Sequence, residues 1–171
     1  MSLMKQIKQR YSVRNYNSRK VEKDKLCTVL EAARLAPSAK NMQEWRFVVV
    51  QDAAMIEKLQ VAANNQSFVG EAPVVIVCCA TQTDYVMRCG QTAYPVDVAI
   101  AMEHMALQAV EEGLGTCWIG SFFEDQVKSI LGIPDDIRVV ELMTLGYPAG
   151  DSKPANRLPL DKIVCYDTWQ F

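Results

Sequence analysis

A chain of 171 residues, half of them hydrophobic and 22% charged, is long enough for one domain with a core of its own and has the balance of an ordinary soluble protein. Its formal net charge of -2 argues against a protein that grips nucleic-acid phosphates along its length, and no apolar run approaches the roughly 18 residues a membrane crossing needs. A small molecule is the expected partner. The N-terminus lacks the basic-then-apolar build of a secretory signal, so a cytoplasmic location is expected, and a second methionine at Met4 is compatible with an expression scar ahead of a native start.

Leu3 to Gln9 reads as a short helix that delivers Arg10-Tyr11-Ser12-Val13-Arg14-Asn15-Tyr16. In an extended segment, every-second-residue spacing puts Arg10, Ser12 and Arg14 on one side. Two guanidiniums bracketing a hydroxyl suit an anion, with phosphate the first candidate; a solvated basic turn is the plainer alternative. From Glu22 to Ala36, Leu26, Val29, Leu30 and Ala33 recur at i, i+3, i+4 and i+7, an amphipathic helix stopped by Pro37.

The polar stretch Pro37 to Arg46 then leads into a buried strand, Phe47 to Val50, and a polar loop between helix and strand is a common seat of binding groups. Asp52 caps a helix running to about Ala63, followed by a loop, Asn64 to Ser67. Val74 to Ala80 is unbroken apolar and rich in β-branched residues, the mark of a strand covered on both faces. Thr81 to Gln91 shows little periodicity and is expected to be a mobile cover over a pocket. Pro95 to Glu112 is apolar nearly all round and predicts the central buried helix. It contains the chain's one histidine, His104, which reads as a packed residue and not a catalyst.

Gly113 caps that helix, and Gly113-Leu114-Gly115-Thr116-Cys117-Trp118-Ile119-Gly120 follows. Three glycines invite comparison with the dinucleotide fingerprint, but there a strand precedes and a helix follows, the reverse of the order here. A dinucleotide-binding βαβ site is therefore not expected. A helix over Phe122 to Leu131 and a strand over Val139 to Leu145 precede Gly146-Tyr147-Pro148. The tail adds Lys153 and Arg157 at a turn and ends in Trp169 and Phe171. The six cysteines form no Cys-x-x-Cys pair, so no metal site is expected, and Cys78, Cys79 and Cys117 lie in apolar runs as buried thiols.

Arg-x-Ser-x-Arg after a short helix, Pro-Ser-x-x-Asn-x-Gln-x-Trp before a strand, Gly-Leu-Gly-Thr-Cys-Trp-Ile-Gly after the long helix, and Leu-Gly-Tyr-Pro before a basic turn together resemble the FMN-dependent nitroreductase family. Their order covers nearly the whole chain, Arg10 to Trp169. One departure is Glu44, which stands where many relatives carry proline and brings a carboxylate near the pocket.

The resemblance implies an α+β fold over residues 1–171, a mixed and mainly antiparallel sheet surrounded by helices, in an intertwined homodimer with FMN sites at the interface. It implies that Arg10 and Arg157 hold the FMN phosphate with Lys153 as helper, that Ser12 and Arg14 contact the cofactor's ribityl chain or pyrimidine edge, and that Tyr11 belongs to the same cofactor site. From the partner chain, Pro37, Ser38, Ala39 and Asn41 would line the ring. Ile119 and Gly120 would present backbone N–H groups near the flavin N5, and the apolar tail would wrap onto the other subunit. The implied activity is ping-pong oxidoreduction from NADH or NADPH through FMN to a quinone, nitroaromatic or similar acceptor, with no protein acid or base required. Two alternatives stay open at this level: a reduced-flavin-consuming or dehalogenating relative, and a flavin-binding regulatory module without NAD(P)H turnover.

Overall fold

The computed structural model describes residues 2–150 and 156–171. Helix α1 (Leu3–Gln9) and helix α2 (Lys23–Arg34) precede strand β1 (Trp45–Val50), then come α3 (Ala53–Ala62), α4 (Ser67–Glu71) and β2 (Val74–Ala80). Helix α5 (Tyr94–Glu111), β3 (Gly115–Ile119), α6 (Glu124–Leu131) and β4 (Arg138–Gly146) complete the domain.

The sheet order is β1-β2-β4-β3, and every ladder in it is antiparallel. A parallel element enters only as an isolated bridge between Ser12 and Thr116 at the β3 edge. This is the α+β architecture expected, with helices on both faces of the sheet. All seven residues of β2 are buried, because one face meets α2 and α5 while the other meets α3, α4 and the chain around Val13. Residues on the α5 side include Ile76, Met143 and Leu145; those on the other side include Val75, Val77 and Leu142. Both layers bury aliphatic side chains, each contributing about 1.5–3 kcal/mol of transfer free energy.

Local chemistry explains the element ends. The Asp52 carboxylate accepts from the Met55 N–H at 2.9 Å, satisfying an orphan donor at the start of α3. Gly113 takes φ 74° after α5, a left-handed exit that glycine adopts without Cβ strain. His104 sets its Nδ1 3.3 Å from the Ala32 carbonyl of α2, so it is a packed helix-contact residue as read.

One part differs from expectation. Residues 67–71 form a helix although the sequence gives only a loop before them; five residues are too few for a period, and Phe68 and Val69 are fixed by burial. Thr81 to Gln91 folds as a hydrogen-bonded turn: Met87 N–H donates to Gln91 at 2.8 Å and Ala93 N–H to Tyr85 at 3.1 Å.

Candidate functional site

The Arg10 segment runs along the exposed side of β3. Val13 N–H donates to the Thr116 carbonyl at 2.9 Å, Asn17 N–H to Tyr147 at 3.0 Å, and Ala149 N–H to Asn15 at 2.9 Å. The expected alternation holds: Val13 is buried and Tyr11 packs on the same core, while Ser12 and Arg14 are exposed and Arg10 is half-buried. Tyr16 anchors the segment from below, donating to the Val13 carbonyl at 3.0 Å with Thr144 Oγ1 2.7 Å away. Burial pushes the Tyr16 hydroxyl well above its ordinary pKa, so it stays a neutral hydrogen-bonding post.

Two cations therefore flank a hydroxyl on a rigid ledge. Arg10 Nε lies 3.6 Å from Glu103 of α5, and the Arg14 guanidinium stands 5.8 Å from the Phe68 ring centre. Cys117 lies beneath them, within reach of Ser12, Arg14 and Arg10; burial raises its thiol pKa and those three groups oppose the rise. The sequence identified Cys117 as a buried thiol but gave no sign of its position under the cation row, which depends on the Ser12–Thr116 bridge.

Toward the end of β3, Thr116 turns its carbonyl outward to Val13, and alternation along an antiparallel edge strand turns Trp118 outward as well. Ile119 faces the other way, toward Leu142 of β4. Ile119 packs its side chain into the core, and Gly120 follows directly after the strand. The Glu141 carboxylate lies against Gly120, with its oxygens 3.2 and 3.4 Å from where a Cβ on residue 120 would sit. Burial raises the Glu141 pKa, and its Oε2 is enclosed without a hydrogen-bond partner.

Pro37, Ser38, Ala39 and Asn41 occupy the tight segment before β1. Lys40, Asn41 and Gln43 take φ values of 51°, 57° and 52°, a left-handed run that non-glycine residues enter at a cost. Tertiary contacts hold it there. Ala39 N–H donates to both Asp97 oxygens at 3.0 and 3.1 Å, Gln43 N–H donates to Ser38 Oγ at 3.0 Å, and Lys40 Nζ stands 4.4 Å over the Tyr85 ring. Glu44, the departure expected to bring a carboxylate near the pocket, is buried beneath this segment beside Asp97.

Within one chain these two groups are apart. The Arg10 ledge borders β3, whereas Ser38 and Asn41 precede β1 at the opposite edge, three strand spacings or about 14 Å across the sheet. Arg157 is exposed and donates to its neighbouring Asn156 carbonyl at 2.9 Å. Lys153 lies outside the described residues. Among the described residues no cluster of side chains suits a metal ion, and no helix is long and apolar enough to cross a membrane.

Comparison with known proteins gives the family. The model described as the nitroreductase family matches residues 7–66 and 53–147. The chain is 32% identical over 188 residues to the NADH dehydrogenase of Thermus thermophilus, with 92% of each covered. It is 26% identical over 184 residues to a Bacillus subtilis protein named FMN reductase NAD(P)H, covering 98% of this chain and 74% of that one. A nitroreductase family protein of Clostridium difficile superposes with a TM-score of 0.86 at 35% identity, covering 99% of this chain and all of its own. An α+β chain with an Arg-Ser-Arg ledge on its edge strand, matched along nearly its full length, belongs to the nitroreductase family.

Proposed function

We propose that this chain is an FMN-dependent NAD(P)H oxidoreductase that passes electrons to a quinone, nitroaromatic or similar small acceptor. The observation that carries the reading is the ledge: Arg10, Ser12 and Arg14 project together from a segment pinned to β3, whose last residue, Ile119, leads directly into Gly120. Guanidinium and hydroxyl donors match a phosphate and a ribityl chain, and the Gly120 backbone N–H matches a ring nitrogen. A relative named FMN reductase NAD(P)H supports the same cofactor pair.

Bound FMN would supply the chemistry, taking a hydride from NAD(P)H and handing the electrons to the acceptor in a ping-pong cycle. The protein's residues position and tune. Arg10, with Arg157 and Lys153, would hold the phosphate; Arg14 would sit at the pyrimidine edge with Ser12 beside it and Tyr11 packed behind the ledge, its positive charge favouring the reduced, anionic cofactor. Gly120 would hold N5, with Ile119 fixing the strand behind it.

The separation of the β1 and β3 edges supports a site completed by a second copy, whose Pro37, Ser38, Ala39 and Asn41 would cover the ring. The tail supports the same partner: Leu158, Leu160, Ile163, Tyr166, Trp169 and Phe171 are exposed, with Trp169 leaving 82% of its surface uncovered in the single chain. Truncation before Val164 is expected to shift sedimentation at low protein concentration from dimer toward monomer, and an unchanged profile would remove the tail from the interface.

The reading is tested by an anaerobic absorbance spectrum before and after NADH and then NADPH. The expected result is a flavin band that bleaches with one or both and returns on adding a quinone. A band that neither nucleotide bleaches would point to a binding module, and a protein that takes up no FMN on reconstitution would overturn the cofactor assignment.

A further inference from the structure

Glu44 and Asp97 are two buried carboxyls, 3% and 4% exposed, at the junction of the 37–43 segment, β1 and α5. Asp97 receives the Ala39 N–H on both oxygens, at 3.1 and 3.0 Å. Among the described residues both Glu44 oxygens are sealed from water and make no well-formed hydrogen bond, and the Asp97 carboxyl is their neighbour. Two ionised carboxylates so placed would be buried, adjacent and of like charge. One proton between them removes the repulsion and gives Glu44 a hydrogen bond to donate.

Among the described residues, the cations on the elements flanking the pair have other partners. On the loop, Lys40 stands over Tyr85; on β1, Arg46 donates to the Gln43 and Trp45 carbonyls at 3.0 and 2.7 Å. From the end of β2, Thr81 donates its N–H and hydroxyl to the Glu44 carbonyl at 2.9 and 3.0 Å, which fixes the residue's main chain and leaves its carboxyl to Asp97. Burial first, and then Asp97, hold the Glu44 pKa above the ordinary carboxylate value.

We propose that Glu44 and Asp97 share one proton and act as a positioning pair that locks the left-handed 37–43 segment onto α5 in the shape that receives FMN, so that cofactor retention weakens as pH rises. The proposal rests on the FMN reading for its consequence and on the carboxyl geometry for its cause. Asp97 holds Ala39 directly, and Glu44 directly precedes Trp45, which is paired with Ala80. A pair of carboxylates forced apart by charge would therefore pull at both ends of the segment that carries Ser38 and Asn41. The sign follows from linkage: a carboxyl with a raised pKa in the folded protein contributes fully below the ordinary carboxylate range, and its contribution is lost as pH rises through the raised value.

The test has two readouts. In flavin-free protein, the Glu44 carboxyl 13C signal, assigned by its disappearance in Glu44→Gln, is titrated with and without Asp97→Asn. A wild-type midpoint well above the ordinary value of about 4.3, lowered by Asp97→Asn, is expected; an ordinary midpoint would overturn the shared proton. In the second readout, FMN affinity is measured by fluorescence quenching from about pH 6 to about pH 9 in wild type and in Glu44→Gln, whose amide keeps the donated hydrogen bond without the titration. The wild-type Kd is expected to rise relative to Glu44→Gln by up to about tenfold per pH unit above the midpoint. Parallel profiles would overturn the positioning role. Absence of FMN binding at every pH would overturn that role together with the reading beneath it, while the carboxyl titration still judges the pair.

Discussion

Arg10→Ala is expected to weaken FMN binding by about tenfold to 150-fold, the equivalent of losing a charge-assisted contact of roughly 1.5–3 kcal/mol. The fold should tolerate the change. Arg10 sits at the exit of α1, and its described partner is a single carboxylate, Glu103, at 3.6 Å with side chains 22% and 46% exposed. An ion pair so accessible to water contributes at most about 1 kcal/mol. Cofactor loss should therefore exceed stability loss, a split read by comparing fluorescence-quenching Kd with the melting temperature of flavin-free protein. Arg10→Lys should fall between, keeping the charge and losing the planar fork that grips two phosphate oxygens. Arg157→Ala should follow Arg10→Ala in direction if both grip one phosphate. Wild-type affinity in Arg10→Ala would move the phosphate away from the ledge.

The sequence carried the ledge because strand alternation is local: Tyr11 and Val13 inward, Ser12 and Arg14 outward, all decided by a period of two. The helices with a clear stripe were equally legible; Leu26, Val29 and Ala33 of α2 are buried where their spacing puts them. What was hidden depends on distant partners. Nothing in a single polar residue says that Glu44 is buried, since its burial requires Asp97, placed by α5. Strand β1 begins at Trp45, earlier than its apolar run, because Trp45 pairs with Ala80 across the sheet. The left-handed turns at Lys40 and Gln43 were invisible for the same reason: neither residue type favours them, and the hydrogen bonds to Asp97 and Ser38 impose them.

Gly115→Ala is the substitution expected to damage the fold and the site together. Gly115 opens β3 opposite Gly146, and a Cβ there would overlap Cγ2 of Val13 and come within 3.0 Å of the Pro148 ring. Neither neighbour yields cheaply: Val13 is β-branched and 1% exposed, and Pro148 is a closed ring bridged to Tyr16. Overpacking of this kind costs about 1–3 kcal/mol, or roughly 2–12 °C in melting temperature for a chain of this size. The functional cost follows from sequence position. Val13 stands between Ser12 and Arg14 and hangs the segment on Thr116 and Tyr16, so moving it tilts the hydroxyl and the guanidinium out of line. FMN affinity should drop even at temperatures well below the transition. Gly113→Ala is the control. There a Cβ meets open space but a positive φ, 74°, so the change should cost stability without affecting FMN. The double variant Gly115→Ala, Val13→Ala removes the clashing methyls and should be less destabilised than the sum of its parts. Simple additivity, with FMN affinity unchanged in Gly115→Ala, would mean that the ledge is positioned by something other than Val13.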